Sequence, residues 1–162
     1  MLSIISDFAG QGDARGINLL ITSACSLKSE GMTDKTVIII PARYASKRFE
    51  GKPLAMLTGS TGARKSLIQR SWETACDVPS VDGIFVATDD QRIADAVHNF
   101  GGQVIMTSQN CRNGTERVAE AVQKLPEPAD IVVNLQGDAP LTPPWFITAL
   151  IDEMKGDSTV EM

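Results

Sequence analysis

Four cationic side chains, Arg43, Lys47, Arg48 and Lys52, stand within ten residues of the stretch VIIIPARYASKRFEGKPL, opposed only by Glu50. The run from Val37 to Ile40 is apolar and is bounded by Pro41, the pattern of a buried strand. The positive charges therefore gather where that strand stops. Such a group can neutralise a triphosphate that an acidic chain would otherwise repel. The stretch has no GxGxxG, and its one glycine is Gly51, so it is not the phosphate loop of a dinucleotide fold. A merely solvated loop is the alternative, and placement directly after a strand favours anion binding.

A second candidate is NLQGDAP, where another apolar run ends in Gln136, Gly137 and Asp138. An acid at a strand end is a natural ligand for a Mg²⁺ that bridges nucleotide phosphates. Gly-Asp and Pro140 are also ordinary turn chemistry. GSTGARKS, residues 59–66, approaches a P-loop but has Arg64 where the second glycine is required, and no strand leads into it. It is assigned to a surface turn before a helix. His98 is the only histidine and falls on a predicted helix away from the strand ends, which argues against a Ser-His-Asp hydrolase or a histidine metal centre. In NGTERVAEAV the threonine reads as a helix N-cap, and Arg117 reaching a ligand is the lesser reading.

These residues need a scaffold, and the composition supplies one. The chain has 162 residues, enough for one domain with a real core, with 43% hydrophobic and 22% charged residues. Its net charge of -5 disfavours nonspecific nucleic-acid binding. No apolar run approaches the length that spans a bilayer, so no membrane partner is expected. Cys25, Cys76 and Cys111 have no metal or CxxC spacing and are expected to be reduced and mostly buried. The first residues lack a basic stretch and make a poor secretory signal, so a cytoplasmic location is expected.

Residues 1–31 show no clean period and are expected to be an N-terminal extension outside the core, with the domain over 32–162. After that, strands and helices alternate. TVIIIP, GIFVATDD, GQVIMT and DIVVNLQGD read as strands. KSLIQRSWETAC, QRIADAVHNF, TERVAEAVQKL and PPWFITALIDEM read as helices. That order predicts an α/β fold, a mainly parallel sheet with helices on both faces. In such sheets ligands bind beyond the carboxyl ends of strands. Arg43 to Lys52, Thr88-Asp89-Asp90 and Gln136-Gly137-Asp138 are then expected to share one cleft.

IIIPARYASKRFEGKPL, FVATDD, NGTERVAEAV and NLQGDAP, in this order, resemble the 3-deoxy-manno-octulosonate cytidylyltransferases, the CMP-Kdo synthetases, over about residues 35–155. The resemblance implies a Rossmann-like nucleotidyltransferase fold that uses CTP and Mg²⁺ to join CMP to a sugar acid, Kdo, with release of pyrophosphate. It implies that Arg43, Ser46, Arg48 and Lys52 contact the CTP phosphates and that Thr88 and Asp89 lie near the nucleoside. Gln136 would face the sugar and Asp138 would ligate Mg²⁺, with Arg43, Lys52 and Asp138 carrying catalysis. The chain departs from the family pattern at Glu50, where proline is usual, and at Ala139, where glutamate is usual. Family chains continue well beyond this length and draw a second aspartate, much of the sugar pocket and a homodimer interface from that continuation. The domain is accordingly expected to be C-terminally incomplete. A catalytically silent nucleotide-binding module, or a cytidylyltransferase for another acidic sugar such as a sialic acid, are the alternatives.

Overall fold

The computed structural model describes the backbone of residues 2–4 and all of residues 34–45 and 49–156. The apolar run after Lys35 forms the central strand β2 (Thr36–Ala42), following a short β1 (Leu2–Ile4). Then come a 3-10 turn at Lys52–Leu54, β3 (Met56–Thr58), β4 (Arg64–Ser66), α1 (Leu67–Cys76), β5 (Gly83–Thr88) and α2 (Gln91–Asn99). The chain continues with β6 (Gln103–Met106), α3 (Gly114–Val122), β7 (Ile131–Leu135) and α4 (Pro144–Gly156). No helix among the described residues is long and apolar enough to cross a membrane.

The main sheet has the order β1-β7-β2-β5-β6. β7, β2, β5 and β6 are parallel, and β1 lies antiparallel on the β7 edge, with Leu2 opposite Leu135 and Ile4 opposite Val133. Residues 2–4, which fall in the segment expected to lie outside the core, therefore pair with the sheet; residues 5–33 lie outside the described residues.

β2 is buried on both faces because strand side chains alternate. Ile38 and Ile40 pack with Ile68, Ile93, Val97, Ile147 and Ile151 of α1, α2 and α4. Val37 and Ile39 pack on the other face with Val118 and Ala121 of α3. The result is three layers, with helices on both faces as the alternation predicts. On α2 the buried residues are Ile93, Ala94 and Val97, and on α3 they include Val118 and Ala121.

Two local expectations are corrected. The stretch GSTGARKS is an exposed turn ahead of α1, as expected, but a strand does lead into it: it forms the tip and second strand of a β3–β4 hairpin. Gly59 N–H donates to the Ala63 carbonyl at 3.0 Å, and Gly62 takes a φ of 80°. Arg70 of α1 holds the hairpin by donating to the carbonyls of Leu57 and Ala63, both at 2.9 Å, and Ser66 caps α1. The N-cap of α3 is Asn113 rather than threonine: its Oδ1 accepts from Glu116 N–H at 2.8 Å, and Thr115 sits inside the first turn. The cysteines also differ from expectation. Cys76 is exposed at the end of α1 and Cys111 is half-buried, both as free thiols, and Cys25 lies outside the described residues.

Candidate functional site

Strand order reverses beside β2: the chain runs outward through β5 and β6, then returns to place β7 on the opposite side of β2. The crevice beyond the carboxyl ends of β2 and β7 is where an open α/β sheet binds ligands. A cleft of about 240 Å³ opens there, lined by the end of β2, the 3-10 turn, the start of α3 and the residues after β7.

Three features of backbone chemistry shape it. Gly137 is needed because a Cβ there would stand 2.8 Å from the Pro41 carbonyl oxygen, so the segment after β7 can press against the end of β2. Gly51 caps the 3-10 turn with a φ of 69°, a conformation that favours glycine, and its N–H donates to the Tyr44 carbonyl at 2.9 Å. Asn113 and Gly114 open α3 at the cleft, which brings the positive end of the helix dipole there.

Arg43, Lys52, Gln136 and Asp138 all line this cleft. Lys52 Nζ donates to Asp138 Oδ2 at 2.6 Å, and the ammonium holds the Asp138 carboxyl below the usual carboxylate range. Gln136 Nε2 donates to the buried Asn134 Oδ1 at 3.2 Å, which orients the amide at the end of β7. Ser46 and Arg48, and Lys47 between them, lie outside the described residues.

Thr88 and Asp89 do not line the cleft. Thr88 is fully buried, and its hydroxyl accepts from Asp90 N–H at 3.2 Å. Asp89 stands behind Arg117, whose Nη2 lies 3.2 Å from Asp89 Oδ2. Arg117 also donates to the Thr107 hydroxyl, is 2% exposed, and itself lines the cleft. The end of β5 therefore reaches the site through Arg117, the cation for which a ligand contact was the lesser reading. A signal for it existed: Arg117 precedes buried Val118 and lies four residues before buried Ala121, so a charge falls on the inward face of the helix.

Among the described residues Asp138 is the one carboxylate lining the cleft, and no group of three or more His, Cys, Asp or Glu side chains gathers. Asp89 Oδ2 is held by Arg117 while its buried Oδ1 has no hydrogen-bond partner among the described residues, and Asp90 caps α2 and pairs with Arg92; neither lines the cleft beside Asp138. A hard divalent cation that keeps several waters and takes its remaining oxygens from phosphates suits a single carboxylate of this kind. Arg43, Lys52 and Arg117 line the cleft together with this one carboxylate, a set that could hold a polyanion carried with such a cation. His98 sits exposed near the end of α2 and is not among the cleft residues.

The solved structure of CMP:2-keto-3-deoxy-manno-octonic acid synthetase complexed with CTP is 43% identical, with a TM-score of 0.71, over 77% of this chain and 49% of that one. The 3-deoxy-manno-octulosonate cytidylyltransferase of Maricaulis maris is 52% identical over 76% of this chain and 46% of its own length. The mitochondrial enzyme of that name from Arabidopsis thaliana is 49% identical over 79% of this chain and 42% of its own length. The chain thus spans about half the length of the curated relatives it matches. The family model described as cytidylyltransferase matches residues 37–162, and the chain belongs to that family.

Proposed function

We propose that this domain binds CTP with Mg²⁺ in the cleft between β2 and β7, and that it provides the nucleotide side of a transfer of CMP to 3-deoxy-manno-octulosonate. The observation that supports this reading is the pairing of Lys52 with Asp138 across the cleft that Arg43 also lines, since a metal-bound triphosphate calls for both cations and a carboxylate. The choice of nucleotide and sugar rests on similarity to relatives of those names and to the synthetase solved with CTP.

In this reading Arg43 and Lys52 bind the phosphates, and Ser46 and Arg48 of the same loop join them. Asp138 holds the Mg²⁺, which on binding neutralises phosphate charge. Gln136, oriented by Asn134, faces the sugar. The anomeric hydroxyl oxygen of the sugar acid forms a bond to the α-phosphorus and gives up its proton to water, while the bond from that phosphorus to the bridging oxygen breaks and its electron pair leaves with pyrophosphate. The cations act mainly by positioning and by holding the charge that develops on the phosphates.

The test joins this chain to the remaining half of a relative and measures pyrophosphate release from CTP with Mg²⁺, using 3-deoxy-manno-octulosonate or N-acetylneuraminate as acceptor. Release with the first sugar at least tenfold above the second supports the reading. Preference for the second sugar assigns the domain to sialic-acid transfer instead. CTP binding without release with either sugar marks a silent nucleotide-binding module.

A further inference from the structure

Arg43 and Lys52 flank a loop whose base is fastened by residues that do not themselves line the cleft. Tyr44 follows Arg43, Gly51 precedes Lys52, and the Gly51 N–H donates to the Tyr44 carbonyl at 2.9 Å. Gly51 also lies against the tyrosine ring, since a Cβ there would meet ring atoms at 3.1 Å. The Arg92 guanidinium of α2 sits over the same ring, 3.3 Å from its centroid. Arg92 is aimed by a fork: Nε donates to Asp90 Oδ1 at 2.9 Å and Nη2 to Asp90 Oδ2 at 2.7 Å. Asp90 is fixed in turn as the N-cap of α2, accepting from Arg92 N–H at 3.0 Å. Planar guanidinium pairs best with a carboxylate and an aromatic face in this rigid arrangement, which lysine reproduces poorly.

We propose that Arg92 and Tyr44 are positioning residues for the phosphate-binding cations: the Asp90–Arg92 fork clamps the Tyr44 ring, and with it the base of the loop that presents Arg43 and Lys52. The inference rests on the reading of the cleft as a nucleotide site. It gives the end of β5 a second indirect route to the cleft, since Asp89 holds Arg117 on one side while its neighbour Asp90 holds the loop clamp on the other.

Tyr44 is the only tyrosine in the chain, so labelling with 3-fluorotyrosine yields a single ¹⁹F resonance that reports the clamp without any ligand. Wild type, Arg92→Ala and Arg92→Lys are compared by that resonance, by melting temperature and by calorimetric titration with CTP and Mg²⁺. The wild-type resonance is expected well away from its position in urea, and Arg92→Ala is expected to move most of the way toward it while still melting cooperatively. CTP affinity is expected to fall about two- to fivefold in Arg92→Ala, with Arg92→Lys between the two, as for loss of an exposed cation–aromatic contact that only organises the loop. Should Arg92→Ala fail to fold, Arg92→Lys carries the same comparison. An unmoved resonance, or a moved resonance with CTP affinity equal to wild type, overturns the positioning role. If the wild type takes up no CTP, the nucleotide reading falls, and the ligand-free resonance alone decides the clamp: displacement in the Arg92 variants supports it, and its absence overturns it.

Discussion

Lys52 Nζ and Asp138 Oδ2 meet at 2.6 Å, joining the 3-10 turn after β2 to the segment after β7 across the cleft. Both side chains are about half exposed, at 41% and 54%, so the pair is of the kind that contributes at most about 1 kcal/mol. An entering phosphate can therefore take Lys52 at little cost and leave the Asp138 carboxylate to a cation. Asp138→Ala is expected to change stability to urea by under about 1 kcal/mol while removing the Mg²⁺ dependence of CTP binding. Titrations with and without the ion check this, and a variant that still needs Mg²⁺ as the wild type does contradicts it.

Gly137 tests how closely the two strand ends must approach. A methyl group there meets the Pro41 carbonyl oxygen at 2.8 Å, and that oxygen belongs to backbone that cannot swing aside. Gly137→Ala is expected to cost about 1–3 kcal/mol in urea unfolding, as overpacking does. An unchanged midpoint would show that the segment shifts freely.

Arg117 and Asp89 form a pair with side chains only 3% and 16% exposed. Removing one partner of such a pair leaves an uncompensated buried charge. Arg117→Met is expected to destabilise the protein by about 3–5 kcal/mol, and adding Asp89→Asn is expected to restore part of that loss. Thermal and urea unfolding of the single and double variants measure the coupling, and strict additivity would refute it.

Glu120 supplies the pH dependence. Lys124, the Cys111 thiol and the Ser108 N–H all donate to its carboxylate and, with Lys124 first, lower its pKa from 4.5 to about 2. Because the folded value is depressed, the stabilisation is present above pH 4.5 and is lost as pH falls through about 2. Glu120→Gln should therefore be less stable than wild type at pH 7, with the gap closing between pH 4.5 and pH 2. A gap that stays constant over that window would place the stabilisation elsewhere.

The layered sheet was legible because β2, β5 and β7 are apolar runs that stop abruptly at polar residues, and that same contrast pointed to Arg43, Lys52, Gln136 and Asp138. The β3–β4 hairpin was not legible. Its strands have three residues each, β3 is exposed throughout, and what holds them is a side chain thirteen residues from Leu57, Arg70, reaching back to two carbonyls. The expectation that Thr88 and Asp89 would share the cleft missed because strand position says where a chain ends and not which side chain stands in front. Arg117, contributed by α3, fills that place. Asn113 was overlooked as a cap although Glu116 follows three residues later, the spacing of a capping box.

Calorimetric titration of CTP with Mg²⁺ into wild type and Lys52→Ala tests the nucleotide cleft most directly. Losing a charge-assisted contact to phosphate is expected to weaken binding by about 1.5–3 kcal/mol, roughly 10- to 150-fold. ATP and GTP are expected to bind more weakly than CTP to the wild type. Equal CTP affinity in the two proteins would contradict the assignment of this cleft to the nucleotide.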